Sequence, residues 1–197
     1  MNTARPPRWA EAFLRTLLPP RDKESVTGDL LEEYRERALP QRGRAGAHLW
    51  YLRQVAGFLV RANGVWAVML GLAFVGRTAL DWFLPTTDFH TRSLVSTILS
   101  AGVLLCAGFV ASWRSETVRS GAIAGAWTAI LGAGVSLVGD AALLAVSHDR
   151  QTFAAIEGSG GLGEVFTLPI LLVVPALLLG TLGGLCGRVS RRIVARS

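Results

Sequence analysis

The chain has 197 residues, of which 51% are hydrophobic and only 17% charged, and its mean hydropathy is +0.41. A soluble domain carries roughly 25% charge, and a disordered chain needs low hydropathy with high charge, so both classes are excluded. The formal charge is +6 from 20 basic and 14 acidic residues, with Lys23 the only lysine, and the position of those charges decides between a nucleic-acid surface and a membrane protein with basic flanks.

Residues 1–62 hold 18 of the 34 charges and read as a small helical head. In residues 8–18, Trp9, Phe13 and Leu17 recur at i, i+4, i+8 and predict one apolar helix face. Pro19-Pro20 stops that helix. Asp22 is the expected N-cap of a second helix to Ala38, with Val26, Leu30 and Tyr34 as its apolar stripe and Glu24, Asp29, Glu32, Glu33 and Glu36 on the other face. The two stripes predict a helical hairpin. Residues 40–46 read as a loop, completing a cytoplasmic head over 1–46. Residues 47–63, with Trp50, Tyr51, Val55, Phe58 and Leu59 beside Arg53 and Arg61, read as an amphipathic interfacial helix. Asn63-Gly64 is the expected break after it.

Four apolar segments follow, at 64–84, 94–113, 120–146 and 166–187. Each reaches the roughly 20 residues that cross a ~30 Å hydrocarbon core, and none shows the polar stripe of a surface helix. Residues 188–197 form a basic tail. With the N-terminus inside, 17 basic residues fall on the inner side, and only Arg92 and Arg150 fall in the outer loops. That split places both termini in the cytoplasm. Trp66, Trp82, Trp113 and Trp127 fall near span ends, where indoles favour the headgroup level. The fold class is therefore all-α: an integral-membrane four-helix bundle with a cytoplasmic helical hairpin and an interfacial helix. The expected location is a bacterial inner membrane. The first 20 residues contain no apolar stretch of signal-peptide length, so the first span is the expected insertion signal.

The head carries three ordered motifs: Arg8-Trp-Ala-Glu-Ala-Phe-Leu-Arg-Thr-Leu-Leu-Pro, Gly28-Asp-Leu-Leu-Glu-Glu-Tyr-Arg-Glu-Arg and Trp50-Tyr-Leu-Arg-Gln-Val55. Over residues 6–58 these resemble the permease prefix domain, which precedes the membrane part of some bacterial permeases of the macrolide-exporter type. Those permeases have a large extracytoplasmic domain, whereas the outer loops here are about 9 and 19 residues. The resemblance thus implies a shared docking or folding module rather than permease activity, and it transfers no functional residues.

Arg77, Asp81 and Asp140 lie inside the apolar segments. A charge there costs about 2.5–3.5 kcal/mol on insertion scales, so such groups pair or line a cavity. Residues 71–80 align without gaps to 134–143, with Gly71/Gly134, Val75/Val138, Gly76/Gly139, Ala79/Ala142 and Leu80/Leu143 identical. Both segments run outward, which sets Arg77 at the depth of Asp140 and predicts an ion pair between them. Gly121, Gly125 and Gly132 in the third span, and Gly180, Gly183, Gly184 and Gly187 in the fourth, have the small-xxx-small spacing of close helix packing, within the chain or in a homodimer. Pro169 and Pro175 are expected to kink the fourth span. Cys106 and Cys186 read as small apolar packing residues.

No phosphate loop, zinc-protease signature or nucleophile elbow is present. Gly158–Gly163 has no preceding strand and reads as a linker. His90 and His148, near Asp88 and Asp149, have no diagnostic metal spacing. No catalytic, cofactor or metal residues are assigned, and no cofactor is expected. The second helix is acidic, which argues against a nucleic-acid partner. The expected role is structural, regulatory or accessory, with the lipid bilayer and a membrane protein such as a permease complex as partners. The alternative is a small, possibly dimeric, transporter with Arg77, Asp81 and Asp140 along its path.

Overall fold

In the computed structural model, residues 5–84, 89–146 and 169–195 are described, with 154, 163 and 167 as isolated positions. The described elements are helical. α1 spans Arg8–Leu17, α2 Lys23–Glu33, α3 Leu39–Phe83, α4 Phe89–Ser115, α5 Val118–Val146 and α6 Val173–Val194. A 3-10 turn, Pro20–Asp22, leads into α2, and a π-helical stretch, Tyr34–Ala38, joins α2 to α3. Four helices are long and apolar enough to cross a membrane. Their outward residues are large and apolar: Val65, Val138, Leu171 and Val174 are each about two-thirds exposed or more. A soluble bundle would place polar groups there. The chain is an all-α membrane protein.

The head is a three-helix cluster. Its core holds Ala10, Leu14 and Leu18 from the first helical segment, Leu30, Tyr34 and Ala38 from the second, and Ala47, Tyr51 and Val55 from α3. The buried face of α1 is therefore shifted by one residue from the expected stripe. Trp9 is 64% exposed, Leu17 is half-buried, and Phe13 packs at the edge of the core. The moment of α1 is dominated by its large side chains, but its buried line is set by contact with α2 and α3, where small Ala10 fits. In the second segment Leu30 and Tyr34 are buried as expected, while Val26 is half-buried beside buried Thr27. Asp22 makes no side-chain capping bond. Its carbonyl instead accepts the Ser25 hydroxyl at 3.4 Å.

The expected loop at 40–46 is a kink. Gly43 alone leaves helical geometry, at φ 64° and ψ 178°. That φ lies in the left-handed region that glycine enters without steric cost. Beyond it no break occurs at Asn63-Gly64, and residues 47–63 do not form a separate interfacial helix. The buried residues Ala47, Tyr51, Val55, Leu59, Asn63, Ala67, Leu70, Gly71 and Phe74 make one line along α3 at steps of four or three. Its lower half closes the head core and its upper half the bundle core. Asn63 is buried within this line, and its Nδ2 donates to Leu59 O at 3.0 Å. Burial on both sides outweighs the roughly 1 kcal/mol that a mid-helix glycine costs. At 1.5 Å per residue the part beyond Gly43 is about 60 Å long, twice a hydrocarbon core of about 30 Å.

α4 and α5 cover the expected second and third spans, whereas the fourth, expected at 166–187, is α6 at Val173–Val194, which continues the helix through residues 188–194 of the expected tail. A tight turn joins α4 to α5. Glu116 adopts φ 63°, its N–H donates to Ser112 O at 2.9 Å, and Ser120 Oγ donates to Thr117 O at 2.6 Å. Residues 169–171 are helical, Leu172 is a turn residue and α6 starts at Val173, so the expected interruption falls just before Pro175, whose missing N–H sits in the first turn of α6. Trp82, near the end of α3, is 2% exposed and packs inside the bundle rather than on its outer surface. Cys106 and Cys186 are free and exposed on the apolar exterior, not packed in the core.

Candidate functional site

The charges inside the bundle form two separate groups. Asp81, near the end of α3, is bridged by two arginines. Arg77 Nε approaches Asp81 Oδ2 at 3.5 Å from one helical turn earlier, and Arg92 NH1 approaches Asp81 Oδ1 at 3.3 Å from α4. Arg92 also caps the end of α3, donating to Leu80 O at 2.7 Å and to Leu84 O at 2.6 Å. Leu80 O also accepts the Leu84 N–H at 3.0 Å, so Arg92 adds a second donor there and supplies one to Leu84 O at the helix end. The side chains of Asp81, Arg77 and Arg92 are 11%, 25% and 24% exposed. The cluster is thus a three-residue staple between α3 and α4, which charge-assisted hydrogen bonding strengthens where water is scarce.

Asp140 stands apart from it. It is 1% exposed on α5, and Ser136 Oγ donates to its Oδ2 at 2.9 Å. Thr78 of α3 is the other polar side chain at the carboxyl, while Oδ1 has no hydrogen-bond partner. The expected Arg77–Asp140 pair is not formed. The two helices do run side by side at matched depth: a Cβ built on Gly71 would meet Gly132 O at 2.9 Å, and one built on Gly139 would meet Val75. The repeat therefore set depth correctly and azimuth incorrectly. Asp140 points into the α3–α5 seam, and Arg77 turns towards the carboxylate of its own helix at i+4.

The glycines of the small-xxx-small pattern are spent within the chain. A Cβ on Gly121 would lie 2.7 Å from Gly180 O, and one on Gly125 2.9 Å from Gly180 Cα. Gly184 would meet Gly121 Cα at 3.3 Å and Ser112 Oγ at 2.6 Å. Gly183 and Gly187 face the carbonyls of Leu105 and Phe109 on α4. Gly132 faces Leu70 and Ala67 of α3. α6 is thus wedged between α4 and α5 at backbone contact, which only glycine permits. Gly108 of α4 packs on Gly180 in the same seam.

Three functional positions escaped the sequence reading. By sequence Arg92 falls in an outer loop and Arg191 in the basic tail. Arg191 NH2 instead pairs with Glu116 at 2.6 Å, while NH1 donates to the carbonyls of Trp113 and Arg114, tying α6 to the α4–α5 turn. Gly108 was passed over, although its four-residue spacing to buried Ser112 is the same small-xxx-small signal. Asp88, His148, Asp149 and 158–162 lie outside the described residues.

The head presents a polar surface of its own. Glu24, Asp29, Glu32, Glu33 and Glu36 are all exposed. Inside the head, Tyr34 stacks on His48 with ring centroids 6.0 Å apart and meets Tyr51 edge-on at 6.1 Å. Burial raises the Tyr34 phenol above its ordinary value, with Arg44 opposing. Tyr51 is pushed up to about 12, by burial first and Glu11 second, against Arg15. No known protein family, curated protein or solved structure matches this chain.

Proposed function

We propose that this chain is a multi-pass protein of the bacterial inner membrane, with both termini in the cytoplasm, that docks through its head on a membrane partner such as a permease complex. Its role is structural, regulatory or accessory, and the head acts as the docking module that its resemblance to the permease prefix domain implies. One observation carries this reading: head and first span share α3, with one buried line serving both cores. A partner that tilts or pulls the head therefore acts on the bundle through a rigid rod rather than through a linker. The exposed acidic face of α2 and the exposed Trp9 are the surface offered to such a partner.

The small-transporter alternative is less well supported. Arg77 and Asp81 are engaged in a staple with Arg92, away from Asp140, so the three intramembrane charges do not line one path. Photo-crosslinking from Trp9 and Glu32 positions in the native membrane tests docking. It is expected to trap one specific membrane protein, with the adduct lost when Glu24, Asp29, Glu32 and Glu33 are changed together to Lys. Crosslinks to lipid alone from both positions, or proteoliposome flux abolished by Asp140→Asn, contradict the docking role. Topology is read separately from Lys23. A membrane-impermeant amine reagent should modify it only after the cells are permeabilised, and labelling in intact cells reverses the assigned orientation.

A further inference from the structure

Where the head meets the bundle, a cavity of about 280 Å³ opens between the end of α1, α3, α4 and α5. Its walls are apolar, with Leu18, Phe58, Trp66, Ala107 and Val110 among them, and its charged lining residues are Arg61 and Arg114. A second cavity of about 550 Å³ shares Pro19 and Arg114 with it, and adds Arg21, Glu116 and Arg191. The two adjoin at Pro19 and Arg114, so the cleft formed by the first has an apolar end and, at the shared wall, a cationic end. Glu116, among the described residues the only carboxylate lining either cavity, is held by Arg191 at 2.6 Å, and Arg21 pairs with Asp22 at 3.5 Å. Among the described residues, no carboxylate lies within ion-pair distance of Arg61 or Arg114.

The height of the cleft identifies what reaches it. Trp66 lies within a run of exposed apolar residues on α3, Val60, Val65, Val68 and Met69, and Arg114 stands where α4 ends. That is the level of lipid headgroups, which Trp and Arg both favour. A soluble anion would satisfy the arginines but leave the apolar end empty. A zwitterionic lipid would fill the apolar end and carry a cation towards the arginines. We propose that the cleft binds an anionic phospholipid from the leaflet bordering the head, with part of one acyl chain between Phe58, Trp66 and Val110 and its phosphate at Arg61 and Arg114. The lipid then fills the space between the head and the bundle beside the continuous α3. This site does not depend on the docking partner.

Native mass spectrometry of the purified full chain tests the proposal, with phosphatidylglycerol, phosphatidylcholine and glycerol phosphate supplied separately. Each basic residue near an anionic surface contributes a factor of about five, so two predict phosphatidylglycerol retained about 25-fold over phosphatidylcholine at low salt. Arg61→Gln with Arg114→Gln should remove the preference, and Arg61→Lys with Arg114→Lys should keep most of it. Ala111→Phe, which fills the cavity from α4, should reduce retention of both lipids. Circular dichroism and gel filtration check that each variant folds, and the wild-type comparison stands if one does not. Equal retention of the two lipids by the wild type overturns the proposal. So does glycerol phosphate displacing the lipid at equal concentration, which marks an anion site without a chain.

Discussion

At the scale of single residues, the interior polar groups hold helices together, and Asp81 is the pivot. Its removal leaves Arg77 and Arg92 facing each other without their shared counter-charge. Asp81→Ala should therefore destabilise the bundle by about 1–3 kcal/mol, as a lost partner of a part-buried charge does. Arg92→Ala should cost less, because Asp81 keeps Arg77 and Leu80 O keeps the Leu84 N–H, though Leu84 O loses its donor. Arg77→Ala should cost least. Thermal unfolding in detergent checks that order, and an Arg77→Ala loss equal to that of Asp81→Ala would contradict the staple. The composition of this cluster was only partly legible. Rarity of charge in an apolar run singled out Arg77 and Asp81, but the partner was hidden across the α3–α4 connection. Repeat alignment gives depth along a helix and carries no information on which side of it a residue points.

Tyr34 and Tyr51 are the only tyrosines and both lie in the head core, so tyrosine absorbance reports the head alone. The folded state favours the neutral phenol of Tyr51, whose value is raised from 10.0 to about 12. That stabilisation is complete below pH 10 and is lost as pH rises from 10 through about 12, amounting to roughly 2–3 kcal/mol for a two-unit difference. Ultraviolet titration should show little tyrosinate until the head opens above pH 10, with a lower apparent value after thermal unfolding. Two ordinary transitions near pH 10 in the folded chain would show that the phenols are accessible.

At the scale of elements, the glycine pattern was the most legible feature and α3 the least. Gly121, Gly125, Gly180, Gly183, Gly184 and Gly187 were recognisable from spacing, because close approach of two backbones demands small residues at fixed turns. Spacing alone left open whether the partner helix belonged to this chain or to another. The structure places them all within the chain, in the seams of α6 with α4 and α5. Gly180→Leu should accordingly force α6 away from Gly108, Gly121 and Gly125 and destabilise the fold by about 1–3 kcal/mol or more through overpacking. Adding bulk at an exposed α6 position instead, Leu178→Phe, should be near neutral. Thermal scans separate the two, and a Gly180→Leu protein as stable as its parent would contradict backbone contact in the seam. In α1, side-chain size misled by one residue, since Trp9 raises the moment on a face that does not pack. In α3, Asn63-Gly64 is a turn signal locally, yet the four-residue recurrence from Ala47 to Phe74 crosses it without interruption. That longer line was readable in the sequence and outweighs the dipeptide.

At the scale of the whole molecule, the positive charge and the apolar content resolve into one design. Residues 1–62 carry 11 basic and 7 acidic residues, and Arg61, Arg114 and Arg191 gather where this head meets the bundle. Apolar residues that a soluble core would bury face outward from four long helices instead. The central claim is that head and bundle are joined by an unbroken α3, which lets an event at the head act on the spans. Spin labels at Leu49→Cys and Leu72→Cys, both exposed positions, placed in a background with Cys106 and Cys186 changed to Ala, measure this directly by pulsed dipolar spectroscopy. A continuous helix predicts a narrow distribution near about 35 Å, from 1.5 Å per residue. A right-angled break at Asn63-Gly64, with the preceding helix lying on the membrane surface, would instead give about 25 Å by the same rise, and a broad distribution near that value would contradict the account.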